Sequence, residues 1–262
     1  MQADLPPRGT GFQPVDMGKM PMPHPADEAP AFDLDTMAEA GNYNEWIYAT
    51  MKPYLGRRIL NLGCGTGNLT PLFLRQGRSV LAIDVDAHMI QGHQANVGAR
   101  PGLELRQAAI QDLTAELAGS FDNVISSNVL EHIPDGIEEE VIRATYELLK
   151  PGGASVHWVP AAAWAYGSLD RAYGHFRRYD KTRLAGAFKK AGFRVARCRY
   201  WNCTGLLGWW WLGHVLKVQH LSRRATRLYD RWVVPALSRV EPWLWLPSGQ
   251  SLFIVARKDL KP

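Results

Sequence analysis

Three glycines stand at alternate positions, Gly63, Gly65 and Gly67 in "ILNLGCGTGNLT", and Asp84 closes the next apolar run, "SVLAID". Glycine permits positive φ and close approach to the backbone. A carboxylate ending the second strand can accept both hydroxyls of a ribose. Together they point to a nucleoside-containing ligand. No Gly-Lys-Ser/Thr follows, which argues against a phosphate-binding P-loop. The G-x-G-x-G spacing is one residue short of the dinucleotide fingerprint, which weakens a dehydrogenase reading. Further along, imidazoles at His132 and His175 could move a proton. Arg177 and Arg178 could grip an acidic group through paired hydrogen bonds. Equally, one of them could salt-bridge Asp170 or Asp180 and merely fix a loop. Tyr166 and Tyr179 could line a pocket or fill core.

These groups need a frame, and the hydrophobic pattern supplies one. "RILNLG", "SVLAID", "LELRQA", "FDNVISS" and "GASVHWV" read as short buried strands. Between them "NLTPLFLRQG", ended by Gly77, "AHMIQGHQANV" and "GIEEEVIRATYELL" read as helices. Ile137, Val141, Ile142, Tyr146 and Leu149 run along one side of the last. Apolar strands separated by helices predict an α/β fold with a parallel sheet covered on both faces. The glycine run sits where the first strand turns into the first helix, at the carboxyl end where such sheets bind ligands. Upstream, "DLDTMAEAGNYNEWIYATMKPYL" predicts a helix capped near Asp33 or Asp35.

The chain has 262 residues, 46% of them hydrophobic, enough for one globular domain with an insertion. Its net charge of +5 permits an acidic or membrane-surface partner without requiring one. Cys64, Cys198 and Cys203 are odd in number and lack metal-site spacing, so a reducing compartment is expected. Residues 1–31 are proline-dense and lack an apolar period, which predicts a flexible tail before a domain over 32–262. No basic segment followed by an apolar run marks a secretion signal. The greasiest stretch, "GLLGWWWLGHVLKV", is shorter than the ~20 apolar residues that span a bilayer.

The chain resembles the class I S-adenosylmethionine-dependent methyltransferases. "ILNLGCGTGNLT" is similar to that family's first motif and "VLAIDVDAHMI" to its second. "FDNVISSNVLEHIPD" is similar to its fourth-strand motif, and "LLKPGG" to the turn before the fifth strand. The resemblance implies a Rossmann-like, seven-stranded, mostly parallel sheet with helices on both faces, and S-adenosylmethionine as cofactor. Its implied binding set is Tyr43, Asn61, Gly63, Gly65, Gly67, Asp84, Val85, Met89, Ile110, Gln111 and Asn128. In this set the glycines admit the aminoacid end and Asp84 takes the ribose. Val85 and Met89 pack near the adenine, Ile110 and Gln111 edge it, and Asn128 lies under the sulfonium. Two positions depart from the family: Asn61 stands where an acid is common, and Ala109 where many relatives have an adenine-binding Asp. Both departures predict somewhat looser binding.

"GSLDRAYGHFRRYDKTRLAGAFKKAGF" is similar to a bacterial small-molecule subgroup with a Gly-His-x-Arg-Arg-Tyr segment after the fifth strand. By that resemblance His175 falls at the rim over the methyl group and is the candidate base, with His132, Tyr166, Arg178 and Tyr179 as candidate acceptor contacts. In quinone-precursor methyltransferases a similar Glu-x-x-Glu-His binds a metal. Here Asn128 replaces the first acid and leaves Glu131 with His132. Because hard cations prefer several oxygen ligands, no metal is expected.

Residues 202–250, between the sixth and seventh strands, hold Trp209, Trp210, Trp211, Trp232, Trp243 and Trp245 with arginines among them. Two or three helices fit, forming either a lid or a face for anionic lipid. Nucleic acid is not expected, for no recognised module appears. The expectation is an enzyme of the cytoplasm or of the membrane periphery that methylates a small, partly apolar metabolite, at oxygen rather than nitrogen. Transfer to nitrogen, a lipid or lipid-linked sugar acceptor for a membrane-peripheral enzyme, and a non-catalytic cofactor-binding module are the alternatives.

Overall fold

The computed structural model describes residue 37 and residues 39–260. The expected tail over 1–31 and the cap at Asp33 or Asp35 lie outside the described residues. The helix predicted there is present from Gly41 as α1 (Gly41–Met51). Then follow β1 (Arg58–Leu62), α2 (Thr70–Phe73), β2 (Ser79–Asp84), α3 (Ala87–Val97), β3 (Leu103–Gln107) and α4 (Thr114–Leu117). The central part continues with β4 (Phe121–Ser127), α5 (Asp135–Leu148), β5 (Leu149–Pro160), α6 (Ser168–Ala172) and α7 (Lys181–Lys190). Last come β6 (Arg194–Trp201), the insertion with α8 (Cys203–Trp210), α9 (Arg223–Leu228) and α10 (Val234–Val240), and β7 (Ser251–Arg257).

The seven strands lie in the order β3-β2-β1-β4-β5-β7-β6, and β7 runs antiparallel between β5 and β6. The chain steps outward from β1 to β3 and then returns to β4 beside β1, which makes a crevice at the carboxyl ends of those two strands. Central strands are apolar almost throughout because both faces are covered. One core packs Leu60, Ile83, Val124 and Ile254 under α5 and α7, and the other packs Ile59, Ile125, Trp158 and Val255 under α1. The edge strand β6 instead carries Arg194, Arg197 and Arg199, charges that discourage pairing with another chain.

The helix predicted over "NLTPLFLRQG" is cut short. After α2 the chain tightens into a 3-10 turn over Arg75–Gly77, in which Gln76 and Gly77 both take positive φ (66° and 68°) and end the helix. The insertion holds three α-helices, two of them lengthened by wider π turns over Trp211–Val215 and Tyr229–Val233.

Both acids of the insertion are buried helix caps. Asp230 accepts the backbone N–H groups of Asn42 and Tyr43 at the start of α1 (3.2 and 2.8 Å). Glu241 accepts those of Asn202 and Cys203 at the start of α8 (2.6 and 2.8 Å). Each carboxylate satisfies donors that the helix itself leaves orphaned, and its charge suits the positive end of the dipole.

In the middle of β5, His157 is fully enclosed. Its Nδ1 lies 2.6 Å from the Ser126 hydroxyl, and its Nε2 bonds the Ser155 hydroxyl. Burial pushes its pKa down to about 3, so the folded protein holds it neutral. Between the unfolded value near 6.5 and about 3, only the unfolded chain carries this proton, so stability falls as pH falls through that window. The slope from this group is up to about 1.4 kcal/mol per pH unit. Accordingly, His157→Gln should melt lower than wild type at neutral pH but lose less on acidification. Thermal melts across pH would check this, and parallel curves would remove His157 as the source.

Candidate active site

The glycine loop leaves β1 at Leu62 and is tied down at once. Gly63, Gly65 and Gly67 all have positive φ (64°, 51° and 92°). The need for glycine is partly internal. A Cβ on Gly63 would stand 2.5 Å from Val129, and one on Gly67 would meet Val97 and His93 at 2.5 and 2.9 Å. Two of the three glycines are thus required by the protein's own packing, whatever ligand approaches. Cys64, between them, is no nucleophile, because burial and then the charge of Asp84 push its thiol up to about 12.

Asp84 ends β2, and its carboxylate accepts the N–H groups of Gly65 (3.0 Å) and Asp86 (3.1 Å). Burial raises its pKa, and these two amides work in the opposite direction. Val85 beside it is 55% exposed, an apolar side chain left open at the mouth. Met89 and Gln111 are half-buried. Asn128 is exposed and left-handed at φ 53°, with its N–H on the Trp158 carbonyl at 2.7 Å. The Tyr43 hydroxyl accepts from the Trp158 indole N–H and lies 3.3 Å from the Ser251 hydroxyl, at the same end of the sheet.

Asn61 and Ile110 differ from expectation. Asn61 donates its amide to Thr70 (3.3 Å), whose hydroxyl also meets buried His93 (2.9 Å). This chain of contacts braces the loop from below. Ile110 is 2% exposed within the core, so its side chain cannot edge a ligand and only its backbone is available.

After β5 the chain builds a second constellation. His175 Nδ1 lies 2.9 Å from Asp170 Oδ1, which leaves Nε2 for another partner. Asp170 is fully buried and also accepts from Arg178 (3.2 Å), the Trp209 indole (3.0 Å) and the Gly167 N–H (2.9 Å). Burial alone would raise its pKa, but His175, Arg178 and Trp209 outweigh this and hold it below the usual carboxylate range. Tyr166 donates its hydroxyl to the His175 carbonyl at 2.8 Å. The His132 ring meets that of His175 edge to face, with centroids 4.8 Å apart.

Two candidate acceptor contacts are corrected by their surroundings. The Arg178 side chain is wholly buried on Asp170 and on the carbonyls of Ala161 and Gln250, so it cannot reach out to an acidic acceptor. Tyr179 is 0% exposed, with its hydroxyl on Glu138 and the Leu130 carbonyl, and it fills core. Arg177 is likewise inward, paired with Asp135 at 2.9 Å.

Glu131 is the residue that sequence reasoning undervalued. It is fully buried, neither carboxylate oxygen has a hydrogen-bond partner, and burial raises its pKa to about 8. Donor atoms of Glu131, His132 and His175 lie within 4.8 Å of one another, the one such trio of possible metal ligands among the described residues. One carboxylate with two imidazoles suits a borderline transition metal better than magnesium or calcium.

A family profile described as a methyltransferase domain matches residues 34–197. The chain belongs to this methyltransferase family. It is 30% identical over 202 residues to a ubiquinone biosynthesis O-methyltransferase of Ralstonia nicotianae, covering 71% of this chain and 82% of that one. It is 38% identical over 125 residues to the protein of the same name in Xanthomonas axonopodis pv. citri, where the match spans 45% of this chain and half of the relative's length. A crystal structure of an S-adenosylmethionine-dependent methyltransferase from Archaeoglobus fulgidus superposes with a TM-score of 0.55 over 82% of this chain and 94% of that one, at 20% identity.

The methyltransferase's cofactor is S-adenosylmethionine, and the residues at the crevice fit it. Asp84 offers a partly open carboxylate, Val85 an exposed apolar side chain next to it in the chain, and the glycine loop packs at Gly63 close to Val129, the neighbour of Asn128. Asp170 and Trp209 complete the second constellation. The spacing of Asp170 to His175 was a readable signal, whereas Trp209 comes from an element 39 residues away and left no local sign.

Asp84→Ala should weaken binding of S-adenosylhomocysteine by about 1.5–3 kcal/mol, the scale of hydrogen bonds to a charged group. Calorimetry on Asp84→Ala and Asp84→Asn, with melting curves to detect loosening of the loop, would test it. Unchanged affinity in the alanine variant would sink this assignment.

Proposed function

We propose that this methyltransferase transfers the methyl group of S-adenosylmethionine to a hydroxyl of a small, partly apolar acceptor, with His175 as the general base. One observation carries the reading: a nearly buried imidazole whose Nδ1 is held by a buried carboxylate at 2.9 Å. That bond fixes the tautomer that leaves Nε2 as the proton acceptor, and it stabilises the imidazolium that forms, the same logic as in a Ser-His-Asp triad. The relatives named for ubiquinone biosynthesis support oxygen over nitrogen as the acceptor atom, and a quinone precursor as its class.

When bound, S-adenosylmethionine supplies a methyl group already activated by its sulfonium. The chain's residues then position and deprotonate. Asp84 binds the ribose, and the loop from Gly63 to Gly67 receives the aminoacid end. Val85, Met89 and Gln111 cover the adenine, with the backbone at Ile110, and Asn128 lies towards the sulfonium. Tyr43 closes the near side. His132 and Tyr166 border the acceptor, while Arg178 acts through Asp170 rather than by touching substrate. His175 takes the hydroxyl proton as the acceptor oxygen bonds to the methyl carbon. S-adenosylhomocysteine would be the leaving group, retaining the electron pair of the methyl–sulfur bond. Alignment and exclusion of water supply much of the acceleration, as in other reactions governed by effective concentration.

His175→Ala should slow single-turnover methyl transfer by about 10²–10⁴, the usual contribution of a general base. Cofactor affinity should barely change, because the imidazole faces the acceptor and not the nucleoside. His175→Asn keeps a hydrogen-bonding group but no base, so recovery of activity there would indicate orientation rather than proton transfer. Full activity in a stably folded His175→Ala protein would put the base elsewhere.

A further inference from the structure

The insertion leaves β6 at Trp201 and rejoins the sheet at Ser251. Those two residues are register partners, and Ser251 also pairs with Pro160, the last residue of β5. The insertion therefore begins and ends on the carboxyl side of the sheet, where its first helix meets the candidate active site through Trp209. The inner side of the helix formed by α8 and its π turn is docked there. Leu206 is 5% exposed, Trp209 bonds Asp170, and the Gly213 carbonyl accepts the Ser168 hydroxyl at 3.0 Å.

Among the described residues nothing covers its outer side. Leu207 is 68% exposed, Trp210 37%, Trp211 52% and Val215 44%, at positions that share one side of a helix. Trp164, 59% exposed, belongs to the turn over Ala163–Ala165, which packs against α8. Along the next helix, Leu228 and Trp232 repeat the pattern one turn apart, 51% and 67% exposed. A surface this apolar marks an interaction site rather than scattered exposure.

Charge identifies the partner. The acids of the insertion are Asp230 and Glu241, and both are buried as helix caps. Its basic residues include Lys217, Arg224, Arg231 and Arg239, all exposed. Tryptophans flanked by outward cations, with the carboxylates turned inward, suit the headgroup layer of a bilayer that contains anionic lipid. No described helix is long and apolar enough to cross a membrane.

We propose that the outer face of α8 and its π turn seats on an anionic phospholipid surface, so that the acceptor enters the active site from the lipid. This deepens the functional reading, since a partly apolar acceptor would be met where it dissolves. Because Asp170 holds both Trp209 and His175, the docked helix is one side chain away from the candidate base.

Flotation of the full-length protein with phosphatidylcholine vesicles, with and without phosphatidylglycerol, tests the docking without any acceptor, so its failure is distinct from failed methyl transfer. Wild type should float with the anionic vesicles at low salt and less so at high salt. The double variant Trp210→Ser/Trp211→Ser should partition at least about tenfold less, on the scale of losing two interfacial anchors. Its melting temperature and its affinity for S-adenosylhomocysteine should be unchanged. Leu260→Ser, exposed at the opposite end of the sheet, should float as wild type does. If the tryptophan variant misfolds, Lys217→Glu/Arg224→Glu tests the exposed cations of the insertion and should lose the anionic preference. Wild type that ignores anionic vesicles at low salt overturns the proposal. So does sedimentation showing that the tryptophans hold two copies of the chain together and that the variant is monomeric.

Discussion

A single buried carboxylate, that of Asp170, organises the ligand side of this molecule. It receives the His175 imidazole, the Arg178 guanidinium, the Trp209 indole and the Gly167 amide. These donors come from the loop after β5, from the strap leading to α7, and from the insertion. A buried charge is tolerable only when it is paired and its lone pairs are filled. The three segments converge on one charge, and loss of the strap that carries His175 and Arg178 would leave Asp170 without its cationic partner. Arginine at position 178 serves this network rather than the acceptor, because its head is spent on Asp170 and two carbonyls.

The same economy recurs in the rest of the insertion. Asp230 and Glu241 reach across long sequence separations to cap α1 and α8. An insertion that buries both its acids as caps presents cations and apolar rings outward. Trp46, Trp158 and Trp201 pack with centroids about 6 Å apart beneath it, in the edge-on and offset geometries that aromatic pairs prefer. The tryptophans thus have different tasks: Trp46, Trp158 and Trp201 hold α1 to the sheet, Trp209 docks α8 on Asp170, and Trp210, Trp211 and Trp232 are exposed.

The glycine loop illustrates how one sequence signal can have two causes. Positive φ at Gly63 and Gly67 is coupled to the close approach of Val129 and of His93 with Val97. Their glycines are demanded by packing before any ligand arrives. The loop is braced further by Asn61, Thr70 and His93, a chain of contacts built where the family often carries an acid. Neutral bracing from below leaves Asp84 as the charged group beside the loop, and the amides of Gly65 and Asp86 already engage that charge.

By itself the sequence determined the strands, the parallel sheet and the crevice, because apolar period, turn residues and strand-closing Asp84 are local signals. The motif order from Gly63 to Asn128 was legible for the same reason. Tertiary structure alone decided which candidate side chains stay accessible and which fill core. Ile110 and Tyr179 are equally compatible with pocket or core in sequence, and only packing against the sheet buries them. The partner of Arg178 could be either of two nearby acids, and the fold selects Asp170 because Trp209 and Gly167 converge on it from distant positions. The isolation of Glu131 is also invisible in sequence, since a carboxylate is solvated by default and loses its water only when other elements close around it.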